Sequence, residues 1–304
     1  MPESLLSNKP ILLLGASGKL GLEIRKAMQS ELSGRELICC SRSVFEGPRF
    51  PNERWIIFDP FESQWDFGGP IAVVINAVGA IAATKEMPYA KVHLGLTKVI
   101  LAHRFSIGDP KILQLSAIGA DPQHKVEFLR SKGEADELLK RAGNSVIMKP
   151  SIVCTPNTML SQKLNQLLSI SRISLGKLLV PNGFLKTQIQ PIMGADLGRA
   201  VVKLIDAENV PPEIELVGPN RLSFGEILEI MAKAKNRKVK MISLPREFME
   251  GFVKHFLSVW FPGTINYDQF QLLFQDNVGN ANYLQRDLGL NLLNTDDFWR
   301  DEAK

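Results

Sequence analysis

Three glycines carry the clearest chemical signal in this chain. Gly15, Gly18 and Gly21 recur at every third position of the run Gly15-Ala16-Ser17-Gly18-Lys19-Leu20-Gly21. The run lies between the apolar stretch Ile11-Leu12-Leu13-Leu14 and a segment of helical periodicity. In that setting each glycine has a separate task. The first permits a tight turn, the second lets backbone N–H groups approach a pyrophosphate, and the third lets the helix pack closely on the strand. The start of the helix then faces the phosphates, with Ser17, Lys19 and Leu20 completing the cradle. A second reader of the ligand belongs at the end of the next strand, about twenty residues past the last glycine. An acid there suits the ribose 2′-hydroxyl of NAD, and a base suits the 2′-phosphate of NADP. That place holds Ser41-Arg42, with no Asp or Glu from Leu37 to Phe45, so NADP is expected in preference to NAD. Asp59, ending the third strand, is a candidate acceptor for the adenine amino group and equally a turn residue before Pro60. Ala77, Val78 and Gly79 are small enough at the end of the fourth strand for a cofactor to lie across them.

Alternating strands and helices must hold these residues. Apolar runs at Ile11 to Leu14, Glu36 to Cys40, Trp55 to Phe58, Ile71 to Ile75, Lys111 to Leu115 and Ser145 to Met148 read as buried parallel strands. Helical patterns separate several of them: one ends near a C-cap glycine at Gly34, another spans Tyr89 to His103 and a third Val126 to Ala142. The expected fold is α/β, a Rossmann-type doubly wound parallel sheet with a smaller C-terminal α/β lobe. Residues 1–150 form the dinucleotide-binding domain. Residues 151–304 form a substrate or partner lobe, and a segment near 195–218 returns to the main sheet. In that lobe a single short strand is predicted from Gln188 to Ile192, and Ser223 with Glu226 makes a capping box for a helix to Ala234.

Composition narrows the function classes. The chain has 304 residues, 45% hydrophobic and 22% charged, which is ample for a core. A formal net charge of +4 is too weak and scattered to indicate nucleic acid. The densest basic run, Lys233 to Lys240, reads as a solvated helix C-terminus. Cys39, Cys40 and Cys154 make no disulfide framework and read as small buried hydrophobes. No apolar stretch reaches the roughly 20 residues of a membrane span, no signal peptide is evident, and a cytoplasmic location is expected. The four histidines lack metal-ligand spacing, so no metal is expected.

Taken together, these segments resemble the atypical, extended-like short-chain dehydrogenase/reductase (SDR) superfamily. Within it they are most similar to the group named for the NADPH-binding accessory subunit of respiratory complex I. The most specific matches are Ser116-Ala117-Ile118-Gly119-Ala120-Asp121 and Leu129-Arg130-Ser131-Lys132-Gly133-Glu134. Lys149-Pro150-Ser151, Gln190-Pro191-Ile192 and Asp276-Asn277-Val278 extend the likeness over nearly the whole chain. The resemblance implies cofactor contacts from Pro150 and Ser151, and catalytic positions at Ser116 and Lys132. Catalytic members carry Tyr-x-x-x-Lys, in which the lysine lies one helical turn from a proton-donating tyrosine. Here Phe128 holds the tyrosine position, and it has no hydroxyl to give or take a proton. Tyr267, Tyr283, His124 and Glu127 are the substitutes the sequence offers.

Three functions follow in order of expectation. The first is an NADPH-binding protein without SDR catalysis, in a structural, assembly or redox-sensing role. The second is an NAD(P)-dependent oxidoreductase or epimerase-like enzyme with an unconventional proton donor. The third is an interaction module with a vestigial nucleotide site. Arg246 to Trp260 is predicted as a helix with one strongly apolar side, followed by Phe261-Pro262. It closes the core of the small lobe or offers a surface to a protein partner or membrane complex.

Overall fold

The computed structural model describes residues 9–80, 84–171, 175–247 and 267–303. It divides the chain into two compact units. The first comprises Met1–Pro150, Gly194–Leu216 and Asn280–Asn291, and the second Ser151–Met193, Val217–Gly279 and Leu292–Lys304.

The first unit is built on seven parallel strands. These are β1 (Ile11–Leu14), β2 (Leu37–Ser41), β3 (Glu53–Ile57), β4 (Val73–Asn76), β5 (Lys111–Leu115), β6 (Ser145–Pro150) and β11 (Glu213–Leu216). Their order is β11-β6-β5-β4-β1-β2-β3, so the chain reverses direction across the sheet after β3. β1 is apolar throughout because both faces are covered, and Ile11, Leu12 and Leu13 have no exposed surface. Register is what builds a site from this sheet. Leu14 lies opposite Cys40 on one side and Asn76 on the other, so the chain leaves β1, β2 and β4 at one level. Gly15, Ser41 and Ala77 therefore share one edge, the carboxyl edge where doubly wound sheets hold ligands.

Helix α1 (Lys19–Glu31) buries Ile24, Ala27 and Met28, and α5 (Gly194–Asp206) packs along it. α1 ends at Glu31, where the Leu32 N–H bonds the Met28 carbonyl at 2.9 Å. Gly34 lies beyond that end and is not left-handed, so it is not the C-cap that the sequence predicted. The helix predicted from Tyr89 to His103 is two pieces, a π-type turn Lys91–Gly95 followed by α2 (Leu96–His103). The wider turn leaves His93 buried against α3 (Glu127–Ala142).

A buried arginine, which the sequence reading passed over, ties α1 to the segment after β2. The Arg25 guanidinium forks onto Glu53, with Nε at 2.6 Å and Nη2 at 2.9 Å from the two carboxylate oxygens, and Nη2 also bonds the Pro48 carbonyl. It lies over the rings of Phe45, Phe50 and Trp55, with Phe45 and Trp55 stacked at 3.8 Å.

The second unit has three small two-stranded pairings. β7 (Val153–Cys154) runs parallel to β10 (Ile192–Met193), β8 (Lys177–Pro181) parallel to β13 (Lys240–Leu244), and β9 (Gln188–Ile189) antiparallel to β12 (Leu222–Ser223). The predicted strand Gln188 to Ile192 is thus two strands, broken where Pro191 has no N–H for a ladder. Among the described residues the unit also has helices α4 (Met159–Ile170), α6 (Phe224–Ala234), α7 (Tyr267–Leu272) and α8 (Asp296–Ala303), and a core that includes Leu168, Val180, Ile227 and Trp299. Ser223 and Glu226 form the capping box of α6. The basic run after α6 is not simply solvated. Lys235 Nζ bonds the Ala303 carbonyl and Arg237 Nη1 the Leu168 carbonyl at 3.2 Å, each near the C-terminus of another helix.

Arg246 lies over the Phe274 ring at 4.1 Å, whereas residues 248–260 of the predicted apolar helix, and Phe261 and Pro262 after it, lie outside the described residues. No helix among the described residues is long and apolar enough to cross a membrane.

Candidate functional site

The glycine loop turns against the end of β4. Gly15 has φ +82°, and a Cβ there would stand 2.9 Å from the Ala77 carbonyl carbon. A Cβ at Gly21 would stand 2.3 Å from the Gly15 carbonyl oxygen, so only glycine lets α1 come this close. Gly18 is N-cap of α1, and its N–H closes the turn onto the Gly15 carbonyl at 3.0 Å. No side chain caps the helix and no acid occupies its first turn. A helix start with neither a side-chain cap nor an acid beside it suits an anion. Ser17, Gly18 and Lys19 are exposed and Leu20 half-buried around it. Three glycines in a cradle that Cβ atoms would fill, and an uncapped helix start, fit the pyrophosphate of a dinucleotide.

At the end of β2, the Ser41 hydroxyl donates to the Ser43 carbonyl at 2.6 Å and shapes the turn. Arg42 is exposed and makes no hydrogen bond or ion pair among the described residues. Asp59 has a local task. Its Oδ1 accepts the Phe61 N–H at 2.9 Å and its carbonyl accepts the Ser63 N–H at 2.8 Å, which is the turn before and through Pro60. Beyond β4, the Ala77 N–H bonds the Leu14 carbonyl at 3.0 Å, and the Val78 N–H bonds Asn76 Oδ1 at 3.1 Å. Asn76 is itself held by Gln114 at 2.8 Å. Ala77 and Val78 are half-buried and Gly79 is exposed at this edge.

Ser116 follows β5, and Lys132 and Phe128 share a face of α3 one turn apart. Lys132 Nζ donates to the Leu115 carbonyl at 3.1 Å and lies 5.6 Å from the Phe128 ring centroid. Burial lowers its pKa to about 8, against the pull of Asp136. Ser116 donates its hydroxyl proton to Asp136 Oδ2 at 2.6 Å. Burial raises the Asp136 carboxyl to about 6, opposed by the Ser116 bond and by Lys149 and Lys132. The Phe128 ring is flanked by Tyr89 and His93, each 5.7 Å away centroid to centroid. The Ser131 hydroxyl lies 3.1 Å from the Phe128 carbonyl and shares a hydrogen bond with His93 Nδ1 at 2.8 Å. Burial, and secondarily Lys132, hold the His93 pKa down to about 3.

Pro150 ends β6, and its carbonyl accepts the Ile118 N–H at 3.1 Å. Ser151 begins the second unit, where its hydroxyl bonds the Asn277 carbonyl at 3.0 Å. The sequence search for a replacement acid missed Tyr89, His93 and Asp136. Asp136 had a signal, being one helical turn past Lys132. Tyr89 and His93 had none, since only the packing of the π-type turn on α3 brings them to Phe128. Of the substitutes that were named, His124 Nδ1 accepts the Val126 N–H at 3.0 Å, and Tyr283 lies in a π-type turn Tyr283–Asp287. Among the described residues no group of His, Cys, Asp and Glu is arranged to hold a metal.

No family model matches the chain, and no curated protein sequence matches it. Solved structures do. A nucleoside-diphosphate-sugar epimerase from Staphylococcus aureus superposes with a TM-score of 0.71 at 16% identity, covering 96% of this chain and 99% of that one. UDP-glucuronic acid 4-epimerase from Bacillus cereus, solved with UDP-glucuronic acid and NAD, gives 0.69 at 14% identity over 97% and 98%. dTDP-glucose 4,6-dehydratase from Bacillus anthracis, solved with NAD, gives 0.65 at 12% identity over 97% and 95%. Together with the seven-stranded parallel sheet, these likenesses define an α/β protein of Rossmann-type fold. The structures it is similar to include NAD complexes of nucleotide-sugar enzymes.

Proposed function

We propose that this chain is an NADPH-binding protein of the atypical SDR kind in which tyrosine-based proton transfer has been lost. The observation that carries the reading is a close-packed glycine turn and an uncapped helix start at Gly15 to Gly21, in a chain with a hydroxyl-less Phe128 where the tyrosine is expected. NADPH, when bound, supplies two-electron redox chemistry. The chain's own residues have the other tasks. The uncapped start of α1 and the glycine turn hold the pyrophosphate, and Arg42 pairs the 2′-phosphate. Ala77 to Gly79 give the cofactor a flat edge. Lys132 and Ser116 lie toward the nicotinamide end, and both are engaged by neighbours of their own. Likeness to the complex I accessory subunit belongs to the same proposal and gives the protein a structural or redox-sensing role. The NAD-bound neighbours support a dinucleotide, and the absence of an acid beside Arg42 supports the phosphorylated form.

Calorimetric titration of NADPH and NADH into the parent and Arg42→Ala tests the reading. A charge-assisted contact of about 1.5–3 kcal/mol makes NADPH roughly 10- to 150-fold tighter in the parent, a margin that Arg42→Ala removes. Equal affinities in the parent, or an unchanged margin in the variant, would overturn it.

A further inference from the structure

A serine hydroxyl has one proton. Ser116 gives its proton to Asp136 at 2.6 Å, so what it presents elsewhere is lone pairs. Such a group accepts from a hydroxyl or an amide N–H and is mismatched to a carbonyl. Ser116 stands just past β5, on the carboxyl edge of the sheet.

Asp136 can reverse this. It is 2% exposed, and its Oδ1 has no hydrogen-bond partner. The charged and polar groups facing it are Ser116 beyond β5, Lys132 on its own helix, Lys149 on β6 and Glu213 on β11. Neither lysine closes on it tightly. Lys132 Nζ is turned to the Leu115 carbonyl, and Lys149 Nζ is 2.8 Å from Glu213 but 3.9 Å from Asp136. A buried carboxylate with one hydrogen bond and no close counterion is costly in its charged form. Lys149, Glu213 and Lys140 continue from it as a chain of ionisable groups toward the surface, with Lys140 Nζ 2.8 Å from Glu213.

We propose that Asp136 is a positioning residue that sets the hydrogen-bond polarity of Ser116. Ionised, it holds the Ser116 proton, and Ser116 accepts from a ligand hydroxyl or amide. Protonated, it donates through Oδ2 to Ser116 Oγ, and the Ser116 hydrogen turns to a ligand carbonyl. One protein thus favours alcohols on the alkaline side of the Asp136 titration and carbonyls on the acid side. The proposal rests on the reading that a ligand lies at this edge of the sheet.

Two measurements test it, on parent, Asp136→Asn and Ser116→Ala. The first is carbon-13 NMR of labelled aspartate carboxyls in the protein without nucleotide. The resonance lost in Asp136→Asn titrates near pH 6 in the parent and moves to higher pH in Ser116→Ala, because the bond that stabilised its charged form is gone. Titration below pH 5, or no movement in Ser116→Ala, overturns the proposal. The second is the affinity of cyclohexanone relative to cyclohexanol, followed by saturation-transfer NMR on the NADP⁺-loaded protein. The ratio rises up to about tenfold per unit as pH falls below 6 in the parent and stays level in both variants. A level ratio in the parent overturns it. Failure of the nucleotide titrations alone would sink the NADPH reading and leave the carboxyl titration standing.

Discussion

Three glycine-to-alanine substitutions separate the binding and folding roles of the loop. At Gly21 a Cβ would stand 2.3 Å from the Gly15 oxygen and 2.8 Å from the Ala16 oxygen, both main-chain atoms that no rotamer change can move. Overpacking of this kind costs about 1–3 kcal/mol, and the upper figure applies because the obstacle is backbone. At Gly18 the nearest atom is the Gly15 oxygen at 3.3 Å, so the fold gives way slightly, by less than about 1 kcal/mol. The methyl group then sits at the N-cap of α1, where the pyrophosphate should lie. At Gly34 nothing lies within 4 Å and the backbone is not left-handed, so alanine should stabilise by about 0.4–1 kcal/mol through the unfolded chain. Urea unfolding and calorimetric NADPH titration read the two effects. The expected pattern is loss of both stability and binding for Gly21→Ala, loss of binding with stability kept for Gly18→Ala, and loss of neither for Gly34→Ala. Parent-like affinity in Gly18→Ala would show that phosphates do not sit on this turn. Parent-like stability in Gly21→Ala would refute the packing argument itself.

Two more outcomes can be checked. Phe128→Tyr puts a hydroxyl one helical turn from Lys132, and a positioned acid is worth about 10²–10⁴ in rate. NADPH consumption over a panel of ketones, aldehydes and quinones should therefore be negligible in the parent and measurable in the variant, and robust turnover by the parent would refute the non-catalytic reading. His93 titrates near 3 when folded and near 6.5 when not, so protons bind the unfolded chain first and stability is lost as pH falls from 6.5 toward 3. His93→Phe should lose less stability than the parent between pH 7 and 4.5 in urea titrations, and an equal loss would show that His93 does not carry the effect.

The sheet was legible because its strands are short apolar runs and its turns carry glycine. Leu14 followed by Gly15, and the late strand Glu213–Leu216 that returns to the sheet, could both be read from pattern. The periphery of the site could not. Arg25 looked like any helix-surface cation, since nothing local announces that Glu53 and three aromatic rings will enclose it. The π-type turn at Lys91–Gly95 has an ordinary helical pattern, and its extra residue is a product of packing. Pro191 did carry a warning of the broken strand, and Asp136 lay in view one turn from Lys132. The groups that decide the role of Asp136, namely Ser116 just past β5, Lys149 on β6 and Glu213 on β11, come from other elements of the fold.

The Arg25 cage has a mechanical consequence. α1 begins at the phosphate turn, and the segment through Phe45 and Phe50 begins at Arg42. Arg25 fastens the one to the other through Glu53, Pro48 and the stacked rings. On the proposed reading, the two grips on the adenosine half of a dinucleotide belong to one bracket that these contacts tie together. A nucleotide entering such a bracket would spend less of its binding energy on ordering loops. If that reading holds, such a bracket would rank nucleotides by length and charge, because the distance from pyrophosphate to 2′-phosphate would have to match the gap between its two ends.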